Sequence, residues 1–397
     1  MVTDTKMPAM PVSAADRLAT ESAFAVSARA AELAAEGRDI INLGIGQPDF
    51  PTPPHIVEAG IRAMQDGHHG YTAPEGIPAV RDGVADDLHR RYGVDVSPDR
   101  VTIVPGGKVT MHQAILLCGE PGVEILYPDP GFPIYRSMIA YTGATPVPYP
   151  VGADDGFAMK ADTVLGMVTD RTRLLILNSP GNPTGGVTPK QDLDRLVAGL
   201  EERPDIAILS DEIYGHLVYD GAEHTSLLSY PSVADRLILL DGWSKAYAMT
   251  GWRMGYAVWP QAWINTVTRL SVNSFSCVNA PAQYAGLAAL TGPQDCVETM
   301  RRAFDERRRY LIPALNDLPG LSCAESRGAF YAFPSVRETG LTATAFQTEL
   351  IEQCGVATLA GSGFGANGDG YVRFSYANSL QRIEEAVSRI RDHLNAR

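Results

Sequence analysis

Short apolar runs punctuate the middle of the chain at Val101–Val104, Val123–Tyr127, Leu174–Leu177, Ile206–Leu209, Leu237–Leu240 and Gly255–Val258. Apart from Thr102 and Glu124 these runs are apolar, as expected of strands covered on both faces. Amphipathic stretches of helical period separate most of them, among them Val109–Leu117, Gln191–Glu202 and Trp263–Val272. Buried strands alternating with helices predict an α/β fold on a mostly parallel sheet with helices on both faces.

The flanks read differently. Residues 1–12 carry Pro8 and Pro11 and no periodicity, which predicts a loose arm. Ala14–Glu36 is alanine-rich with a helical pattern, and Gly37 supplies its stop. Ile40–Phe50 (IINLGIGQPDF) predicts a short strand running into a Gly/Pro turn. A helix should start behind Thr52-Pro53, with Thr52 as N-cap and proline opening the first turn. Beyond Gly292-Pro293 the pattern becomes α+β. The expected order there is a helix over Asp295–Leu315 that Pro313 ends or kinks, a strand over Phe330–Phe333 and a helix over Ala343–Cys354. A strand over Tyr371–Tyr376 and a final helix to His393 complete it.

Composition narrows the function. Hydrophobic residues make up 45% of the 397 positions and charged residues 20%, ordinary for a soluble globular chain long enough for two domains. A net charge of −13 argues against general nucleic-acid binding, which needs a basic face. No apolar run reaches membrane-spanning length, and Met1–Ser13 lacks the basic-then-apolar order of a secretion signal, so the cytoplasm is the expected compartment. The five cysteines, Cys118, Cys277, Cys296, Cys323 and Cys354, are scattered, and His55, His68, His69, His89 and His216 lack metal-ligand spacing, so no metal is expected.

The chemistry-bearing residues follow the apolar runs. NSPGNPTGG (Asn178–Gly186), SDEIYGHL (Ser210–Leu217) and GWSKAYAMTGWRMGYAV each come after a predicted strand. In an open α/β sheet ligands sit at the carboxyl ends of the strands. These ends offer the amide of Asn182, the carboxylate of Asp211, the amine of Lys245 and the guanidinium of Arg253. A planar aldehyde cofactor with a phosphate tail needs such a set. The amine can form a Schiff base with the aldehyde, and the carboxylate can keep a pyridine nitrogen protonated. An amide and a phenol can hold the ring's phenolate oxygen. Ser244, Arg253 and the amides of a glycine-rich helix start can hold the phosphate.

Together NSPGNPTGG, SDEIY, GWSKAYAMTGWRMGY, RGAFYAF and YVRFSYA, in that order and spacing from about Asn42 to Tyr376, resemble the fold-type I aminotransferases of class I, the aspartate aminotransferase-like group. The resemblance implies pyridoxal 5'-phosphate as cofactor. It implies a large domain with a seven-stranded sheet over residues 51–292, and a smaller α+β domain made of residues 13–50 and 293–397. It implies that Lys245 is the Schiff-base lysine and proton shuttle, Asp211 the partner of the pyridine nitrogen, and Tyr214 with Asn182 the pair on the phenolate oxygen. Ser244, Arg253 and the amides of Gly107 and Lys108 in PGGK match phosphate ligands, and Phe132 in DPGFPIY the aromatic that stacks on the ring. Arg373 in VRFSY matches the clamp on the substrate α-carboxylate, with Gly46 of LGIGQPDF beside it. Tyr71 in GYTAPEG matches a tyrosine that reaches the phosphate of a neighbouring subunit, which implies a homodimer with shared sites.

The implied reaction is ping-pong transfer of an amino group between an L-amino acid and a 2-oxo acid, with no membrane or nucleic-acid partner. Lys108 matches a residue that meets a distal carboxylate in one branch of the group. That branch has a small hydroxyl residue where this chain has Phe24, so a neutral or aromatic range stands beside the aspartate/glutamate one. The same residues would also serve a β-lyase or a cyclising synthase. A non-catalytic ligand sensor is disfavoured, because there is no room before Asn42 for a DNA-binding domain. Each residue has a structural alternative: Asp211 as an N-cap, Asn182 as turn chemistry, Arg253 in an ion pair, Arg373 on a buried carboxylate, and Phe132 or Tyr71 as plain core. A dinucleotide site at Gly44–Gly46 is excluded, since the third glycine is missing and Pro48 forbids a helix there.

Overall fold

The computed structural model describes residues 13–20 and 22–396. The arm expected over residues 1–12 lies outside them.

A seven-stranded sheet organises the chain. Its strands are β2 (Val101–Val104), β3 (Glu124–Asp129), β4 (Thr145–Pro150), β5 (Thr172–Asn178), β6 (Ala207–Asp211), β7 (Leu237–Gly242) and β8 (Gly255–Val258). A two-residue strand, β1 (Ile41–Asn42), precedes them and pairs in parallel with β10 (Val356–Ala357). The sheet order is β2-β8-β7-β6-β5-β3-β4. All neighbours are parallel except β8, which runs against both β7 and β2.

Side chains alternate along a strand, and here the alternation sorts one apolar run into two cores. Leu175, Leu177, Ile208, Leu237 and Leu239 belong to one cluster. Leu174, Ile176, Leu209, Ile238 and Leu240 belong to another on the opposite face. Each fully buried Leu or Ile contributes roughly 1.5–3 kcal/mol, which explains why these strands contain no polar alternation. Helices close both faces, among them α2 (Pro54–Gln65), α3 (Pro78–Tyr92), α4 (Lys108–Cys118) and α5 (Ile134–Thr142). A third cluster brings Leu43, Tyr214, Phe330, Tyr331 and Phe374 against the helices Asp295–Asn316 and Leu380–Asn395. A three-stranded antiparallel sheet, β11 (Leu359–Ala360), β12 (Val372–Ser375) and β9 (Tyr331–Ala332), lies within this part.

The structure corrects several sequence expectations. β4 was missed because TPVPYP holds three prolines. The strand pairs only with β3, at the sheet edge, and Pro146, Pro148 and Pro150 alternate along it, so the missing N–H groups face the open side. Thr52 is not an N-cap. Its hydroxyl donates to Ala248 O at 2.8 Å, and Pro53 precedes α2 with no side-chain cap. The expected helix over Ala14–Glu36 is interrupted. Ser13–Arg17 forms a 3₁₀ turn whose Arg17 guanidinium donates to Ala140 O and Tyr141 O, and α1 spans only Ser22–Ala35. Docking onto α5 outweighs helix continuity at that point. The helix expected over Asp295–Leu315 spans Asp295–Asn316, with Pro313 in its last turn.

Candidate active site

The carboxyl edge of the sheet collects the chemistry. Asn178 pairs with Asp211, and Asp211 with Leu240, so β5, β6 and β7 end side by side. The Asn182 loop, Asp211 and the one-turn helix Trp243–Ala246 bearing Lys245 follow those ends. Because β8 is reversed, its start lies at this edge, and Gly255 sits between Val104 and Gly242. Both glycines are required by contact: a Cβ on Gly242 would lie 2.7 Å from Gly255 Cα, and one on Gly255 would lie 2.6 Å from Gly107 N. Close packing here brings Arg253, just before β8, beneath the loop that opens α4.

A cleft of about 710 Å³ opens at this edge. Lys245, Asp211, Tyr214, Asn182, Ser244, Arg253, Gly107, Lys108, Phe132, Gly46, Arg373 and Phe24 all line it. Tyr71 does not; it is 94% exposed on the outside of its own chain.

Lys245 Nζ donates to Gly46 O at 2.5 Å and lies 5.7 Å from the centroids of both Tyr214 and Phe330. Burial, reinforced by the positive charges of Arg373, Arg253 and Lys108, pushes its amine down to about 7, and Asp211 opposes the shift. Asp211 is 2% exposed, and burial pushes its carboxyl up to about 6 against hydrogen bonds from Tyr135 and the Ile213 amide. Tyr135 OH donates to Asp211 Oδ2 at 2.6 Å. Tyr214 and Tyr331 share a hydrogen bond at 2.7 Å between their hydroxyls, and burial raises the Tyr214 phenol well above its ordinary range, so it stays protonated.

Arg373, on β12, is 4% exposed. Its Nη1 donates to Asn182 Oδ1 at 2.7 Å and its Nη2 to Gly44 O at 2.6 Å. The guanidinium lies over the rings of Tyr331 (4.5 Å to the centroid) and Phe364 (4.9 Å). The structure thus gives it aromatic and polar neighbours in the cleft wall. Lys108 Nζ sits 5.2 Å from the Phe132 centroid and 6.0 Å from that of Phe24. Phe24 is 70% exposed at the cleft mouth.

An anion cradle is built from backbone and one guanidinium. Gly107 and Lys108 line the cleft at the start of α4, while the next amides, Val109 N and Thr110 N, donate to Gly106 O and Gly107 O. Arg253 adopts a left-handed backbone (φ 54°) uncommon for a side-chain-bearing residue. Its guanidinium packs so closely on Gly106 (φ 90°) that a Cβ there would lie 2.0 Å from Nη2. Cradle, amine and buried carboxylate on one cleft fit a flat, phosphate-tailed heterocycle.

Sequence reasoning passed over several contributors. Tyr135 lies one helical turn past Phe132, within the quoted DPGFPIY, and its ring meets Phe132 edge-on at 5.9 Å. Tyr331 belongs to RGAFYAF. Asn178 Oδ1 accepts from the Asn182 amide at 2.9 Å and its Nδ2 donates to Asp211 O at 3.1 Å, tying two strand ends together. Periodicity flags Tyr135 as an apolar helix position; only its partner reveals a polar task.

Comparison with known proteins points the same way. The profile of the class I and II aminotransferases matches residues 38–390. The chain is 38% identical to an aspartate aminotransferase of Geobacillus stearothermophilus over 96% of this chain and 98% of the relative. It is 37% identical to an aspartate/prephenate aminotransferase of Cereibacter sphaeroides, over 94% and 96%. The solved structure of a Thermus thermophilus aspartate aminotransferase with maleate superposes with a TM-score of 0.91 at 34% identity, covering 97% of this chain and all (100%) of that one.

The Tyr135–Asp211 bond makes a direct prediction. Tyr135→Phe removes the donor to a buried carboxyl and should lower unfolding free energy by about 1–3 kcal/mol in urea titration of the apoprotein. Stability equal to the parent would show that the bond contributes nothing.

Proposed function

The chain belongs to the aminotransferases of class I and II, and from that premise we propose how its residues divide the work of transamination between an L-amino acid and a 2-oxo acid. The reading rests above all on one observation: Lys245, Asp211 and Arg373 line a single cleft at the carboxyl edge of the sheet.

Pyridoxal 5'-phosphate is the family's cofactor, and when bound it supplies an electron sink for the charge that develops at the substrate's Cα. In our reading Lys245 holds its aldehyde carbon and Asp211 its ring nitrogen, whose positive charge offsets the cost of burying the carboxylate. Tyr214 and Asn182 hold the phenolate oxygen, and Phe132 covers the ring. Ser244, Arg253 and the amides of Gly107 and Lys108 hold the phosphate, with Tyr71 of a second copy completing the set in a homodimer. Lys245 Nζ would also serve as the base that takes the proton from the amino donor's Cα. Arg373 receives the α-carboxylate in the place where it now meets Asn182 Oδ1 and Gly44 O, with Gly46 alongside.

Substrate choice falls to Lys108, Phe132 and Phe24. The ammonium of Lys108 suits a distal carboxylate, and maleate, present in the Thermus structure, is a dicarboxylate. The two rings beside it suit flat apolar side chains. The proposal is therefore glutamate/2-oxoglutarate as one pair, with neutral or aromatic amino acids accepted as the other. Two bodies go with this division, residues 51–292 carrying the cofactor and residues 13–50 with 293–397 carrying Arg373 and Phe24. No helix among the described residues is long and apolar enough to cross a membrane; a cytoplasmic location is part of the proposal.

Lys245→Ala should abolish the visible absorption of the purified holoprotein and lower kcat by about three orders of magnitude or more, the range expected for loss of a general base that also holds the cofactor. A variant that keeps both band and turnover would falsify the assignment.

Lys245 has its amine pushed down to about 7, so it is protonated below that pH and neutral above it. The rate at which the apoprotein takes up pyridoxal 5'-phosphate, followed by the growth of the visible band, should rise through about pH 7 and level off. A rate still climbing beyond about pH 9 would indicate an ordinary lysine.

Phe24→Ser removes the ring from Lys108 at the cleft mouth. The ratio of kcat/KM for aspartate over phenylalanine should rise about tenfold or more, and an unchanged ratio would remove Phe24 from the specificity set.

A further inference from the structure

Asp129 ends β3, on the same sheet edge as Asp211, yet does not line the cleft. It is 2% exposed. A carboxylate withdrawn from water needs donors, and here both are backbone amides from far along the chain. Ala366 N donates to Oδ2 and Asn367 N to Oδ1, each at 3.1 Å.

The fit is close on both sides. Gly365 (φ 131°) has no room for a side chain, since a Cβ would lie 2.0 Å from Asp129 Oδ1. Gly131, in a turn so tight that its own Cβ would lie 2.2 Å from Pro128 O, donates its amide to Phe364 O at 2.8 Å. The sheet edge therefore grips the 361–368 loop at Phe364, Ala366 and Asn367. Phe364 is buried, lines the cleft, and is one of the two aromatic rings under the Arg373 guanidinium. The other ring, Tyr331, belongs to β9, which pairs with β12. Tyr331 thus sits within Arg373's own sheet, whereas the segment bearing Phe364 leaves that sheet after β11 and is held by the end of β3.

We propose that Asp129 is a positioning residue for the substrate-carboxylate clamp, holding the 361–368 loop so that Phe364 keeps the Arg373 guanidinium in its receiving orientation. This rests on the reading that Arg373 receives the α-carboxylate. Asp129 touches neither Lys245 nor the anion cradle, so its contribution falls on carboxylate binding and not on proton transfer.

The test is steady-state kinetics of the holoenzyme for Asp129→Ala, Asp129→Asn, Arg373→Ala and the Asp129→Ala/Arg373→Ala double variant. The alanine variant should raise KM for amino donor and oxo acceptor by at least about tenfold, the effect of losing hydrogen bonds to a charged group, with kcat within about threefold. Its visible cofactor spectrum should match the parent. Asp129→Asn, which keeps one acceptor oxygen, should fall between. Added to Arg373→Ala, the Asp129 change should raise KM by less than about twofold, since no guanidinium remains to be positioned.

Parent-like KM in Asp129→Ala, when Arg373→Ala raises it, overturns the proposal and spares the Arg373 reading. Parent-like KM in Arg373→Ala overturns that reading. A joint fall of kcat and cofactor band in Asp129→Ala marks a merely structural residue and also overturns the proposal. Should that variant not fold, Asp129→Asn and Gly365→Ala, which presses on the carboxylate from the loop side, are read by the same split.

Discussion

Two groups that favour water in their charged forms, the half-buried Lys245 amine on the cleft wall and the buried Asp211 carboxyl, are held at the ends of neighbouring strands. Burial lowers the amine to about 7 and raises the carboxyl to about 6. Each shift moves the group towards neutrality, which is what the proposed roles of Lys245 and Asp211 require. Nothing in either residue alone does this. It requires a sheet whose strands are apolar on both faces and whose parallel ends deliver polar groups into one sheltered edge.

The surroundings of that edge are built to hold position. Tyr135 fixes Asp211 from α5, Asn178 joins the ends of β5 and β6, and the Gly242–Gly255–Gly107 contacts let three backbones meet where Arg253 and the start of α4 converge. A buried polar network is stabilising only when its members are satisfied, and here the partners come from separate elements of the sheet face.

The wall of the cleft that carries Arg373 has a different construction. The loop Gly44–Phe50 offers carbonyls to both Lys245 and Arg373. It is pinned to the helix Asp295–Asn316 by a two-pronged Arg307–Asp49 pair at 2.7 and 3.0 Å, whose guanidinium also lies 5.1 Å from the Phe50 ring. Arg373 comes from β12 and Phe364 from the loop that Asp129 grips. The cleft is thus walled by distant parts of the chain, which also meet outside it, at Asp129 and along the Tyr214–Tyr219 segment.

Apolar runs with no polar alternation were enough to determine a covered parallel sheet, because burial on both faces leaves no room for polar positions. The order of NSPGNPTGG, SDEIY and GWSKAYAMTGWR determined which amide, acid, amine and guanidinium would gather, since each follows a strand. Tertiary structure alone decided the rest. TPVPYP became a strand because its place at the sheet edge excuses three missing donors. Thr52 turned from capping to Ala248 because that carbonyl was near in space. Tyr135 and Asp211 lie 76 positions apart, and Asn182 and Arg373 191. A local pattern records what a residue needs, burial or a partner, but across such separations only the folded backbone chooses which partner satisfies it.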